Sequence, residues 1–575
     1  MFPPEGSAAR ASGPIAAEAA AAASRERRVS IAASSFVRRR SDGLARPGKL
    51  NLKRCRRCAT PAASHLFDEP AVGVELRRPA AWQGEVRVLI GRRAAKPPVA
   101  FGDVVILQNL FATDGLILSV LHVAIASATT VHALLNKREV RAAVGWIGVV
   151  WLSPLLGAAL YLGFGINRVH RKARRLRGLK QTLDAEASNR SAPTTRRERL
   201  QLAVGAITGS DLRQADVDLV LDSGEEAYPV MLAAIESARS SVALSTFIFR
   251  VDEPGSKFVA ALAVARRRGV DVRVLIDGMG GGFFLSRAYR ALRAEGVPAA
   301  RFLHSFWPWK MPFLDLRLHK KALIIDGEIA FIGGLNIAAE NLASAPEEAR
   351  VRDTHFRVRG DVVRQIAEGF DDDWAFATGE EASGSSRTSS RLPAEGEVAR
   401  AIQAGPDQAV GQLLLVLLSA ITAARRSIRI ATPYFLPEEQ LLTALMLASL
   451  RGVDVRLVTP GVNNHKMVAW AVEAHIRPLL EAGCSLYRSQ PPFDHAKLMT
   501  VDDEWSLIGS ANWDARSLRL NFELGLEVYD RDLCQRLSTL IDQKCGRRIT
   551  LSEIDGRPFL IKLRDATTRL ALPYL

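Results

Sequence analysis

At 575 residues and a formal charge of +16, the chain is too long for one hydrophobic core, which rarely grows past about 250 to 300 residues. The charge is unevenly placed: residues 1–100 hold 19 Lys or Arg against 8 Asp or Glu, residues 101–180 hold 10 against 3, and the remainder is left at −2. A near-neutral remainder excludes a basic duplex-binding groove, whereas a basic leader suits an anionic membrane surface. Five cysteines give no disulfide framework. Cys55 and Cys58 form a CxxC without a second pair, which supports neither a zinc nor a redox site, and Cys484, Cys534 and Cys545 read as ordinary thiols of a reducing compartment.

Residues 1–100 are rich in Ala, Arg, Ser, Gly and Pro, show no sustained period, and read as a basic disordered leader. No secretory signal opens them, and acidic residues interrupt any organelle-transit pattern. Block 101–180 contains two uncharged stretches, 115–135 and 142–164, each long enough to cross a bilayer that needs about 20 residues. The second is the better span. The first carries His122, His132, Ser119, Ser127, Thr129 and Thr130, which keeps a buried soluble helix open there and makes its histidines packing residues. Arg168, Arg171, Lys172, Arg174, Arg175, Arg177 and Lys180 outnumber Lys137, Arg138 and Arg141, which places the chain beyond residue 180 in the cytoplasm. Residues 181–213 read as a polar linker.

Beyond that linker the chain repeats itself. AIESARSSVALSTFIF at 234–249 parallels AITAARRSIRIATPYF at 420–435, and RGVDVR occurs at 268 and again at 451. Each half runs helix, strand, helix, strand, so an α/β fold of two similar domains is expected, at 214–380 and 401–560. A Ser- and Gly-rich linker at 381–400 separates them, and 561–575 is a tail. Between strands and signature in the first half stands an aromatic loop, 304–313, with Trp307 and Trp309, suited to a bilayer interface or to core packing.

The centre of each half is one spacing. LHKKALIIDGEIAFIGGLN (318–336) and DHAKLMTVDDEWSLIGSAN (494–512) align His319, Lys321, Asp326, Gly333 and Asn336 with His495, Lys497, Asp502, Gly509 and Asn512, every pair 176 residues apart. A strand period of two turns His319 and Lys321, or His495 and Lys497, to one face. The apolar runs around Asp326 and Asp502 read as strand, tight turn, strand. The glycines then lead into helical segments whose backbone N–H groups favour a phosphate.

Two such matches resemble the duplicated HxKxxxxD signature of the phospholipase D superfamily, and the flanking residues narrow the resemblance to bacterial cardiolipin synthases, over roughly residues 142–550. WIGVVWLSPLLGAALYLGFGINRVHRK, with Pro154, Gly157, Tyr161 and Gly165, looks like their N-terminal membrane segment. The segments DDDWAFATGE (371–380), YFLPEEQLLTAL (434–445) and ANWDARSLRLNFE (511–523) are similar too. The chain departs from the family at Leu318 and Lys320 and at Ala338, Ala339 and Glu340. The resemblance implies two phospholipase D-type α/β sandwich domains about a pseudo-twofold, preceded by an N-terminal membrane helix hairpin in the bacterial inner membrane. It implies that His319 attacks the phosphorus of phosphatidylglycerol to give a phosphatidyl-histidine, and that His495 acts as acid and then base. Lys321, Lys497, Asn336 and Asn512 would bind phosphate oxygens. Asp353 and Glu523 would orient the histidines, which need one nitrogen fixed to present the other. Asp326 and Asp502 belong to the signature with a structural role at the turn.

The expected reaction joins two phosphatidylglycerol molecules into cardiolipin and glycerol. A phospholipase D hydrolase or headgroup-exchanging transphosphatidylase differs only in the acceptor. A nuclease lacks its basic groove, and two intact signatures argue against a non-catalytic membrane scaffold. No metal or other cofactor is expected, because the lysines supply the positive charge and no carboxylate cluster has ligand spacing.

Overall fold

The computed structural model describes residues 101–137, 140–165, 193–282, 284–304, 316–380, 397–406 and 411–569. The readings made for the leader, Cys55, Cys58 and the loop at 305–315 therefore lie outside the described residues, as does most of the linker at 381–400.

Helix α1 (Phe101–Asn136) contains Ser119–Asn136, whose mean hydropathy is 1.3 and of which 11% is buried. Among the described residues it is the one helix long and apolar enough to cross a membrane. The stretch 142–164, expected to be the better span, is not one helix. It divides into α2 (Val140–Leu152) and α3 (Pro154–Leu160), with Ser153 between them at φ −149° and ψ 85°. Pro154 disfavours a helical conformation for the residue before it and offers no N–H to the ladder. The chain then folds back, since a Cβ on Gly157 would stand 2.7 Å from the Val149 carbonyl oxygen. His132 Nδ1 lies 2.9 Å from the Tyr161 hydroxyl, and Trp151 Nε1 donates to Thr130 Oγ1 at 3.1 Å, so His132 is a packing residue.

The repeated halves give two mixed sheets. The first contains β1 (Asp216–Leu221), β2 (Ser241–Thr246), β3 (Asp271–Asp277), β4 (Ala299–Phe302), β5 (Ala322–Ile325), β6 (Ile329–Gly333) and β7 (His355–Arg359), in the order β1-β7-β6-β5-β2-β3-β4. The second contains β8 (Val398–Ala404), β9 (Ser427–Ala431), β10 (Asp454–Pro460), β11 (Ser485–Ser489), β12 (Leu498–Val501), β13 (Trp505–Gly509) and β14 (Glu523–Tyr529), ordered β8-β14-β13-β12-β9-β10-β11. Two-residue strands, Arg213–Gln214 and Arg547–Arg548, extend the second sheet at its edges. The orders match strand for strand. In each half three neighbours are parallel, because helices cross between them, and the rest are antiparallel.

Each signature aspartate locks this topology in place. Asp326 and Asp502 sit at the hairpin turns with φ 54°. The Asp326 carboxylate accepts from the backbone N–H groups of Arg239, Ser240 and Ser241 at 2.9, 2.7 and 2.8 Å. Asp502 accepts from Arg425, Arg426 and Ser427 at 2.8, 2.6 and 2.8 Å. The start of β2 or β9 is thereby pinned to the hairpin beside it.

Among the described residues the buried apolar side chains of the two halves gather in three clusters, apart from a small one of Ala126, Ala133, Val150 and Tyr161 in the N-terminal helices. One is confined to the first half, one lies mainly in the second, and the third draws Phe302, Leu318 and Phe356 together with Leu498, Phe522 and Leu526. Phe302 and Phe522 meet edge to face at 4.8 Å across the halves. A ring so buried stabilises the joint by about 1.5–3 kcal/mol. The expected linker at 181–213 contains a helix instead, Arg196–Thr208, started by a capping box between Thr195 and Glu198. It docks on the second half, where Arg196 bonds Asp502 and Arg400 donates to the Gln201 carbonyl at 3.1 Å. β8 begins inside the expected 381–400 linker, and the expected tail opens within a helix, Phe559–Arg569.

Candidate active site

Each signature enters the other half. Leu318 bridges Phe522 in parallel, the His319 N–H donates to the Phe522 carbonyl at 2.9 Å, and the Phe522 N–H donates to the Arg317 carbonyl at 2.8 Å. In mirror fashion Phe493–Asp494 pairs with Val351–Arg352, and the His495 N–H donates to the Arg352 carbonyl at 2.7 Å. The residue after each accepting carbonyl is an acid. His319 Nδ1 therefore meets Glu523 Oε2 at 2.9 Å, and His495 Nδ1 meets Asp353 Oδ2 at 2.7 Å. Asp353 and Glu523 thus stand where a histidine needs them, but each serves the histidine of the opposite half.

The lysines lie beneath. Lys321 Nζ donates to the His319 carbonyl at 2.7 Å, and Lys497 bonds the His495 carbonyl while lying 2.8 Å from His495 Nδ1 and 3.4 Å from Asp353. All four residues are at most 9% exposed. Burial pushes the Lys321 ammonium down to about 7 and His495 down to about 4, the latter helped by Lys497. His319 and Lys497 are lowered too, chiefly by burial. Burial would raise Asp353, but Lys497 and His495 outweigh it and hold the carboxyl at about 2. Glu523 is lowered in the same way, with burial overcome by His319 and Lys321. Two anions, two cations of weakened basicity and two neutral imidazoles form one electrostatically balanced cluster.

Not every predicted residue joins it. Asp326 and Asp502 face the backbone amides that pin β2 and β9. Asn336 Oδ1 accepts from the Ile248 N–H at 3.1 Å and so braces the loop after β2, while Asn512 is buried with no partner for its Oδ1 among the described residues. Gly333 and Gly509 are placed as expected, at φ 151° and 147°, where a Cβ would strike the Thr354 or Leu524 carbonyl at 2.5 or 2.2 Å. They do not open long helices. A three-residue 3₁₀ turn, Ala339–Asn341, comes after the first and a five-residue helix, Ala515–Arg519, after the second.

The comparisons with known proteins agree with this geometry. A domain model described as "Cardiolipin synthase, PLD-like domain" matches twice, over residues 231–374 and 417–545. The cardiolipin synthase of Geobacillus kaustophilus is 33% identical over 504 residues, 84% of this chain and 99% of that protein. The chain belongs to the cardiolipin synthase family. The major cardiolipin synthase of Bacillus subtilis is 32% identical over 468 residues, covering 76% of this chain and 95% of the relative. Among solved structures, the phosphatidylserine synthase of Haemophilus influenzae superposes with a TM-score of 0.52 at 15% identity, over 66% of this chain and all of that one. That similarity speaks to the fold alone.

Within this family member, several residues complete the site that the spacing did not single out. Ser510 Oγ donates to Glu523 Oε2 at 2.5 Å and so helps to hold it ionised. The first half has Gly334 there instead, because a Cβ would stand 2.2 Å from the Asp353 carboxylate. Asp277 Oδ2 accepts the Leu318 N–H at 2.8 Å and fixes the approach to His319. Phe247 packs on His319 at 5.2 Å, and Tyr434 on His495 at 6.0 Å. Lys320, a departure from the family pattern, points away from the site to Asp373 and Gln403 at 2.5 and 2.8 Å. Lys320 and Tyr434 already stood out in the sequence, the one as a departure and the other within YFLPEEQLLTAL, and Ser510 is the position where the two glycine-asparagine segments exchange Gly for Ser; Asp277 had no such signal.

Proposed function

We propose that this chain is a membrane-bound phosphatidyltransferase that makes cardiolipin and glycerol from two phosphatidylglycerol molecules. The observation that carries the reading is the crossed pair of Nδ1 contacts, which directs Nε2 of both histidines to chemistry in one composite site. The matching strand orders support two phospholipase D-type domains about an approximate twofold, with the site at their junction. His319 Nε2 attacks the phosphorus, the P–O bond to glycerol breaks, and His495 gives its Nε2 proton to the departing oxygen. His495, now neutral, takes the proton from a glycerol hydroxyl of a second phosphatidylglycerol. That oxygen attacks the phosphatidyl-histidine, the P–N bond breaks, and cardiolipin leaves with His319 restored. Assigning the attack to His319 follows the phospholipase D pattern. Lys321 and Lys497 stabilise the charge on the phosphate oxygens, with Asn336 and Asn512 as secondary donors. The α1 helix and the helices α2 and α3 anchor the chain as a hairpin in the bacterial inner membrane, with the catalytic halves in the cytoplasm.

The test is turnover of radiolabelled phosphatidylglycerol by the purified full chain in vesicles, with lipids and glycerol quantified. Cardiolipin and glycerol in equal amounts are expected, and both His319→Ala and His495→Ala should abolish them. Phosphatidic acid in place of cardiolipin would assign the chain to the hydrolases.

A further inference from the structure

The edge of the two sheets that carries the histidines also carries exposed apolar side chains, in an arrangement repeated between the halves. β3 ends at Asp277 and β10 at Pro460, and the next residue bonds the neighbouring strand in both, Gly278 to the Phe302 carbonyl at 3.1 Å and Gly461 to the Ser489 carbonyl at 3.2 Å. The loops that start there reach the histidines through one aromatic ring each. A Cβ on Gly280 would stand 2.9 Å from the Phe247 ring that packs on His319. Tyr434, which packs on His495, donates its hydroxyl to Asn464 Oδ1 at 2.8 Å and lies against His465. At its outer end each loop exposes two large apolar side chains, Phe284 and Leu285 in the first half, Val462 and Met467 in the second.

These four apolar residues are between 47% and 70% exposed.

Single exposed leucines are ordinary, but apolar residues gathered on one edge mark an interaction surface. Charge selects the partner. Residues 278–290 and 461–472 contain no Asp or Glu, and they expose Arg287, Arg290 and Lys466, within a stretch of chain whose net charge is −2 after residue 180. Apolar tips ringed by cations fit an anionic phospholipid bilayer.

We propose that this edge is a lipid-docking face. Phe284, Leu285, Val462 and Met467 enter the acyl region, the three cations rest among the headgroups, and the mouth between the two loops opens onto the membrane. The proposal rests on the proposed function, in which the substrate is a membrane phospholipid. It adds which surface meets the bilayer, so that a lipid phosphate reaches buried histidines without leaving the leaflet.

The test uses the full chain with Cys55, Cys58 and Cys545 replaced by Ser, reconstituted in vesicles of phosphatidylglycerol and phosphatidylethanolamine. Leu285→Cys and Met467→Cys each carry a nitroxide. Leu450→Cys serves as control, since Leu450 is 69% exposed but lies just before β10 begins, at the opposite edge of the sheet. The ratio of accessibility to dissolved oxygen over a water-soluble nickel chelate should be severalfold higher at the two test positions than at Leu450. A ratio equal to that at Leu450 would overturn the proposal, and so would dipolar broadening between labels on two copies, which would assign the face to self-association. The readout needs no turnover, so a chain that docks but makes no cardiolipin would refute the catalytic reading alone. As a second measure, Leu285→Gln with Met467→Gln should lower turnover on vesicles and spare a short-chain soluble phosphatidylglycerol; equal losses on both would overturn the docking face.

Discussion

Asp353→Asn removes the charge that holds His495, and the crossed geometry makes its effect depend on the leaving group. Burial, then Lys497, hold His495 at about 4, so its neutral form dominates at pH 7. A phosphodiester oxygen at about 4 Å and an effective dielectric of about 20 contributes about 4 kcal/mol to the protonated form. At about 1.4 kcal/mol per pKa unit that is roughly three units, enough to bring His495 near 7 when substrate is bound. The lift requires the Asp353 carboxylate, 2.7 Å from Nδ1, to remain charged. Asn in its place undoes the lift and removes a general acid worth about 10²- to 10⁴-fold on phosphatidylglycerol, whose alkoxide must be protonated to leave. A 4-nitrophenyl phosphatidyl ester needs no such proton. With that ester, Asp353→Asn should still release about one nitrophenolate per chain in a burst and then stall at the phosphatidyl-histidine, because attack depends on His319 and Glu523. Glu523→Gln should lose the burst. Stopped-flow absorbance reads both outcomes. A burst surviving in Glu523→Gln but not in Asp353→Asn would reverse the order of the histidines, and equal losses on both esters would refute the division of labour.

Four further outcomes are expected. His355 and His495 are both held near 4 by burial, so the unfolded chain, at about 6.5, binds the extra protons, and stability present above pH 6.5 is lost as pH falls toward 4, by about 3 kcal/mol for each group. Among the described residues His355 has no partner for either ring nitrogen, so His355→Leu should raise stability at pH 7 by about 1–2 kcal/mol and flatten the acid side of a pH series of thermal melts; an unchanged acid slope would count against it. Lys321 loses its proton near pH 7, so KM for phosphatidylglycerol should climb above that pH and Lys321→Met should abolish the climb, as initial rates across pH would show. Asp326→Asn weakens the grip on three backbone N–H groups and should cost about 1–3 kcal/mol of stability while leaving kcat of the folded fraction nearly intact. EDTA should leave turnover unchanged, because Lys321 and Lys497 supply the positive charge at the phosphate; restoration by one specific divalent ion would contradict this.

What the sequence made legible was local. The period of two sent His319 and Lys321 to one side and Lys320 to the other, where it meets Asp373. The glycines at 333 and 509 stand at positive φ because a carbonyl crowds the space of a Cβ. The alternation of helix and strand foretold an α/β fold in each half. Illegible features depended on contacts distant in the chain or on one residue overruling a pattern. Pro154 divides an apolar stretch that hydropathy reads as continuous, and Thr195 with Glu198 starts a helix in a segment that composition reads as linker. The largest gap concerned the acids. Both come after their own signature at similar distances, and spacing does not say which histidine each one serves; the parallel bridges at Leu318 and Asp494 carry each histidine to the acid of the other half. A chain divided between residues 380 and 397 would leave His319 without Glu523 and His495 without Asp353, two buried imidazoles with no charge to set their tautomers. The duplication therefore supplies more than a second copy of a site. Neither half contains a complete one, and the shared core of Phe302 and Phe522 that joins the sheets is also what brings each histidine to its acid.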